Sequence, residues 1–361
     1  MDNNYQTENP FEPRQYDFYD EIVTRDAKRA TSRCMLGLFL LNVIAYAIVF
    51  AVEFVLLVLM GEERVMELYN SPYFTVLLGS LPIYTFGLGA LYLMVRRVPK
   101  KKFYYTKMRF VEFLALIPIS MVLMTLGSYI GVYFNMVFEA VKGSEITDTT
   151  SEMLANTPIW MTILIAGIIG PIVEEFIFRK LLLDRLSVYG NAFAITVTAI
   201  AFGLFHGNFY QLFYAAILGI VLGYVAVKSG SWLYSVLLHI IMNFIGGILP
   251  TILEESINKT LELEELIYGM AIEDVNIYDY AEYLPHLFVT YIYSAFTSAL
   301  LIGGMVLLVI LTIKKKRWAK ISEHGTVRIA RGRVRSVVFG NVGSILFLVS
   351  SGIIMLLSIM I

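Results

Sequence analysis

Gly170-Pro171-Ile172-Val173-Glu174-Glu175-Phe176-Ile177-Phe178-Arg179 lies in the middle of an apolar run long enough to cross a bilayer, and it sets two carboxylates and a guanidinium within six residues. An ionisable group in hydrocarbon costs at least ~2.5–3.5 kcal/mol on insertion scales, which rules out a lipid-facing position for all three. They face a protected polar interior, either as an ion-paired knot that clamps helices together or as a functional cluster. Such an interior needs other membrane helices around it, so the stretch points to an all-α, polytopic transmembrane helix bundle.

Composition agrees. Hydrophobic residues make up 58% of the 361 and charged residues 16%, against roughly 25% charged in soluble domains, and the mean hydropathy is +0.70. Nine apolar segments can span, near residues 35–60, 74–95, 111–137, 158–183, 191–208, 209–228, 231–253, 286–313 and 336–361, most of them at the ~20 residues a bilayer core requires. Only His206-Gly207-Asn208 separates the fifth from the sixth, so a tight turn falls there and eight spans is the alternative count.

Basic residues occupy alternate connections, which sets the orientation by the positive-inside rule. Arg25 to Arg33, Arg96 to Arg109, Arg179 to Arg185, Lys228, and Lys314 to Arg335 form the cytoplasmic side, while Glu62, Glu139 and the segment 254–285, with nine acids and one lysine, form the other. The N-terminus is expected in the cytoplasm and, with nine spans, the C-terminus outside. Residues 1–34 read as a cytoplasmic polar tail, 35–137 as N-terminal membrane helices, 155–250 as a central core, 254–285 as an acidic extracytoplasmic loop and 286–361 as C-terminal membrane helices. A single cysteine, Cys34, excludes an intramolecular disulfide and a cysteine-based metal or redox site. No basic nucleic-acid face, phosphate-cradling glycine loop or long repeat occurs, so nucleic acid is not an expected partner.

Two of the four histidines lie in apolar helices: His206 in Phe202-Gly203-Leu204-Phe205-His206, and His239 in His239-Ile240-Ile241-Met242-Asn243. If Gly190-Asn191 turns an antiparallel hairpin, Glu174 and His206 each stand about sixteen residues from it and share a depth on neighbouring helices, at ~1.5 Å per residue. His239 and Asn243, four apart, project from one helix face. The two hairpins become level if Arg179 to Leu186 continues the fourth helix as an amphipathic extension beyond the bilayer, which places the cluster in the cytoplasmic half of the membrane. Glu175 and Arg179 at i, i+4 form a natural ion pair that leaves Glu174 free. Pro171 removes a backbone hydrogen bond one turn before Glu174, giving either a cavity or an ordinary bend.

Three protease chemistries are missing. No His-Glu-x-x-His occurs, Ser229-Gly230-Ser231 reads as a turn rather than a nucleophile site, and no span carries a central Asp. Glu174-Glu175-x-x-x-Arg179, Phe202-x-x-x-His206 and His239-x-x-x-Asn243, in order on three spans, resemble the three-motif signature of the CPBP family, the type II CAAX prenyl endopeptidases and bacteriocin-processing or immunity relatives also called the Abi family. The resemblance covers roughly residues 155–250.

That resemblance implies a membrane-embedded, glutamate-type endopeptidase of a prokaryotic plasma membrane. In it Glu174 and His206 would activate a water, His239 and Asn243 would stabilise the oxyanion, Glu175 and Arg179 would support them, and Phe202 would pack below His206. A metal-free reaction is the expectation; the alternative is a zinc site of Glu174, His206 and His239 with Glu175 as base. Expected partners are the lipid bilayer and a membrane-bound peptide or lipidated protein substrate. The alternative from a different class is a non-catalytic membrane scaffold or bacteriocin-immunity protein that binds a sensor kinase or peptide.

Overall fold

A computed structural model describes residues 15–103, 108–146, 156–268, 277–314 and 326–360. Residues 1–14 of the expected tail and 269–276 of the acidic segment lie outside them. The described chain runs α1 (Gln15–Met60), the short α2 (Glu62–Tyr69), α3 (Pro72–Val95), α4 (Phe110–Lys142), α5 (Ile159–Tyr189), α6 (Asn191–Phe205), α7 (Phe209–Ser229), α8 (Trp232–Ile252), α9 (Glu254–Ile267), α10 (Leu284–Lys314), α11 (Val334–Phe339) and α12 (Val342–Met360). No strand interrupts the described residues. Eight of these helices are long and apolar enough to cross a membrane, so the chain is a multi-pass membrane protein of all-α architecture.

The ninth apolar helix, α6, falls short. Its 15 residues rise about 22 Å, less than the ~30 Å of a bilayer core. Two glycines end it and seat it. Gly207 takes φ +69, which a side chain would resist, and turns the chain into α7. At Gly203 a Cβ would stand only 2.8 Å from the Ala216 Cβ, so glycine lets α6 and α7 lie in close contact. The helix count therefore turned on the length left between the turns at Gly190 and Gly207.

The core is the interior of the bundle. Leu218, Val221, Leu222 and Val225 on α7 interlock with Phe113 and Leu116 on α4 and with Leu238 and Met242 on α8. A second cluster joins Ile177, Phe178 and Leu182 of α5 to Leu38 and Leu41 of α1, Leu91 of α3 and Phe202 of α6. By contrast Phe50, Phe54, Val58 and Leu59 on α1 are exposed, as expected where the surrounding solvent is lipid.

The basic connections meet at one end. Val23, Ala27 and Ala30 of α1 pack with Val98, Tyr189 and Val337, Lys101 N donates to Asp184 O at 2.7 Å, and Val327 N donates to Val188 O at 2.8 Å. From Gln15 the polar N-terminal segment is thus helix, continuous with the first span and partly buried. The fourth span does continue as helix through the expected extension from Arg179 to Leu186, reaching Tyr189, but the same packing covers the face expected to be wet. Leu183 and Leu186 are buried, and so is Arg185, whose Nε donates to Val95 O at 2.7 Å. Neighbouring connections cover a stretch that sequence pattern reads as solvent-facing. At the other end the acidic segment begins as α9, docked on α10 through Thr260–Thr290 and Ser256–His286 contacts of 3.0 and 3.1 Å.

Four π-helical turns punctuate the spans: Ile83–Gly87, Ile163–Ile169, Phe176–Leu183 and Phe244–Ile248. Such turns widen a helix by one residue and rotate the next turn of side chains about the axis. Three of the four contribute residues to a single internal cavity.

Candidate active site

That cavity has a volume of about 690 Å³, and Glu174, His206, His239 and Asn243 all line it. The three motifs converge on one space. Their supporting residues sit behind its wall: Glu175 and Arg179 are buried, 3.1 Å apart between Oε2 and Nε, with no exposed side-chain surface on either partner. The approach is an ion pair without hydrogen-bond alignment. Arg179 finds further partners in the Gly219 carbonyl, 3.4 Å from Nη2, and in the faces of Phe202 and Phe178, 5.0 and 5.9 Å from the guanidinium carbon.

His239 is held between the two glutamates. Its Nδ1 lies 3.1 Å from Glu175 Oε1 and its Nε2 lies 3.7 Å from Glu174 Oε2. Because a buried carboxylate only accepts, Nδ1 carries a proton, and Nε2 is the nitrogen turned toward Glu174. Glu175 thus joins Arg179 to His239, while Glu174 keeps 21% of its side chain exposed.

His206 ends α6 as its C-cap. Its Nδ1 is 2.8 Å from the Phe202 carbonyl, one turn back, and a carbonyl can only accept, so Nδ1 is the protonated nitrogen. In the neutral ring the lone pair then sits on Nε2. Asn208 fixes the turn beyond, accepting from Gln211 N at 2.8 Å and donating to the His206 carbonyl at 3.2 Å.

Asn243 owes its position to Pro171. In the π-helical turn Ile163–Ile169 the Gly170 N–H reaches back five residues to Ile165 O, and the next residue in that register, Pro171, has no N–H to give Ala166. The orphaned Ala166 carbonyl accepts from Asn243 Nδ2 at 3.0 Å instead. One amide proton of Asn243 is spent there and the other remains available.

Phe202 does more than pack below His206. Its ring stands edge-on to His206 at 4.9 Å and to His239 at 5.6 Å, meets Phe178 at 5.0 Å and underlies Arg179. Sequence reading missed Tyr84, which reaches the cavity from a π-helical turn of α3, outside the motif region. The legible signal was Pro82 followed by a polar aromatic in an apolar span. Thr125 and Ser128 of α4 and Tyr293 and Thr297 of α10 add hydroxyls to the same cavity. Among the described residues, no three His, Cys, Asp or Glu side chains are grouped as metal ligands; the expected alternative set of Glu174, His206 and His239 shares the cavity but not such a grouping.

Residues 156–245 match the family model described as type II CAAX prenyl endopeptidase Rce1-like. Over this segment the match agrees with the resemblance to the CPBP family carried by the three motifs. It is similar to the membrane-embedded CAAX protease MroQ of Staphylococcus aureus (strain USA300), 26% identical over 140 residues, which is 36% of this chain and 56% of that one. It is also similar to YdiL of Bacillus subtilis (strain 168), 27% identical over 108 residues, covering 30% and 43%, and to the UPF0177 protein YxdF of Lactococcus lactis, 30% identical over 107 residues, covering 29% and 59%. The chain spans about half the length of these relatives, all bacterial. No solved structure matches.

Proposed function

We propose that the protein is an intramembrane endopeptidase that hydrolyses a peptide bond in a membrane-associated peptide or protein. The observation that carries this reading is the shared cavity, where one partly exposed carboxylate, two histidines and an amide line a single space backed by a locked ion pair.

Glu174 takes one proton of a water whose other hydrogen is bonded to His206 Nε2, and the oxygen of that water attacks the scissile carbonyl. The resulting oxyanion accepts from Asn243 Nδ2–H and from His239 Nε2–H. With Nδ1–H committed to Glu175, His239 can donate from Nε2 only as the imidazolium. In that state the two carboxylates are balanced by one guanidinium and one imidazolium, and the buried cluster is neutral. Collapse of the tetrahedral species breaks the C–N bond as the abstracted proton passes to the leaving amine. No metal enters this scheme. Comparison of membrane peptides from cells carrying the parent protein or Glu174→Gln tests it: a peptide cut in the parent and intact in the variant identifies the substrate, and identical peptide sets overturn the reading.

A further inference from the structure

At the basic end of the bundle, away from the candidate active site, an apolar groove of about 470 Å³ runs between α6 and α12, with Met35 of α1 at its floor. Phe193, Thr196, Val197, Ile200, Ala201 and Leu204 form one continuous stripe along α6. From Phe193 to Leu204 the stripe rises about 16 Å, half of a ~30 Å hydrocarbon core and so the depth of one leaflet. Phe347 and Leu348 of α12 form the facing wall, and the groove opens to the outside beside Ile200 and Phe339, which are exposed.

The groove does not end in hydrocarbon surroundings. Phe193 and Val334 also belong to a second pocket of about 230 Å³, formed with Tyr189, Gly190, Ile329 and Arg328. Gly190 begins α6, a helix start that carries no side-chain cap and a partial positive charge. Arg328 is exposed there, and Arg331, Arg333 and Arg335 come on the next turns of chain, also exposed. Among the described residues none of the four arginines forms an ion pair. An apolar slot one leaflet deep therefore opens at its polar end onto guanidinium groups that form no described ion pair, while Asp26, whose charge reaches Tyr189 at the same mouth, approaches Arg25 at 3.9 Å.

We propose that this composite groove is a binding site for an anionic glycerophospholipid. An acyl chain lies along the α6 stripe, and the phosphate sits at the mouth against Arg328 and Arg331 beside the start of α6. Charge complementarity selects the occupant, since a zwitterionic lipid fills the slot equally well but brings its own cation to the arginines. The site clamps α12 to α6 and would make the C-terminal helix sensitive to the lipid composition around it.

Native mass spectrometry of the full chain in detergent, titrated with phosphatidylglycerol or with phosphatidylcholine of the same chains, tests the proposal. The expected result is preferential retention of phosphatidylglycerol, weakened by salt and reduced roughly fivefold by each of Arg328→Gln and Arg331→Gln, with Arg328→Lys retaining most of it. Thr196→Trp, placed in the slot on an exposed position, should lower retention of both lipids. The lipid-free unfolding temperature of each variant is compared with the parent, and Arg328→Lys serves as a folded control. Equal retention of the two lipids, a preference that survives in Arg328→Gln/Arg331→Gln, or a dimer that occupies the groove in place of lipid overturns the proposal.

Discussion

Two ion pairs in this protein invert the usual relation between distance and importance. Lys259 and Glu262 on α9 approach to 2.8 Å with 41% and 49% of their side chains exposed, whereas Glu175 and Arg179 on α5 stand 3.1 Å apart with none exposed. The shorter contact is the weaker one, because water screens its Coulomb attraction and would solvate either partner alone. The longer one sits in a low-dielectric interior where neither charge has an alternative, so breaking it leaves the other stranded. The buried pair also carries His239 and stands behind the cavity; the exposed pair joins Tyr283 to α9 at the surface.

The first way to break this contrast is at the cavity itself. Glu174→Gln and His206→Ala are each expected to lower cleavage by about 10²–10⁴-fold, the usual scale for a lost acid–base group, and to be non-additive in combination because the proposed reaction has them serve one water. Full activity in either variant, read on the peptide found by membrane peptidomics, would remove Glu174 or His206 from the reaction.

The next effect is on stability. Arg179→Ala is expected to cost about 3–5 kcal/mol, the scale of a buried pair broken on one side, seen as a large fall in thermal unfolding temperature in detergent. Replacing Glu175 and Arg179 together by leucine should restore much of the loss in folding without restoring activity, since His239 then has no acceptor at Nδ1. An unchanged unfolding temperature in Arg179→Ala would show that the buried pair is no stronger than the exposed one.

Lys259→Ala, by contrast, should leave global unfolding unchanged. Its local effect depends on pH. The hydrogen bond from Lys259 lowers the Glu262 carboxyl below its ordinary 4.5, with a second donor in Tyr283, and the same bond raises Lys259 above 10.5. A lowered carboxylate contributes stability above 4.5 and loses it as pH falls through the shifted value; a raised lysine contributes below 10.5 and loses it as pH rises through its own. Protection factors of the α9 amides, taken relative to the intrinsic exchange rate at each pH, should therefore be flat between these limits and fall outside them, by a small factor at exposed positions.

The smallest expected change is none. Protein treated with chelators and shown by elemental analysis to be metal-free should retain its cleavage rate, whereas recovery only on adding Zn²⁺ would assign Glu174, His206 and His239 to a metal and leave the buried cluster with a different charge balance.

The three motifs were legible because each encodes a local spacing: Glu175 and Arg179 meet as an i, i+4 pair, and His239 and Asn243 share one helix face and one cavity. The features that were not legible depended on how helices approach one another. Tyr84 lies some ninety residues from Glu174, and nothing local marks it as a neighbour. Phe202 reads as packing until its ring is seen touching both histidines and Arg179. The stretch Arg179 to Leu186 has an amphipathic pattern that promises a wet face, and only the folded connections around Val95, Lys101 and Val188 cover it.

By itself the sequence determined the membrane class, the helical architecture and the motif residues, because the cost of charge in hydrocarbon and the 3.6-residue period act on each segment alone. Tertiary structure decided the rest. It seated α6 on α7 by bringing Gly203 against Ala216, ended that helix at His206, and gave the orphaned Ala166 carbonyl to Asn243 where Pro171 could not serve it. It also set an acceptor against Nδ1 of each histidine, the Phe202 carbonyl for His206 and the Glu175 carboxylate for His239. Those outcomes depend on which backbone acceptor or carboxylate stands within 3 Å or so, a distance set only when the helices have packed.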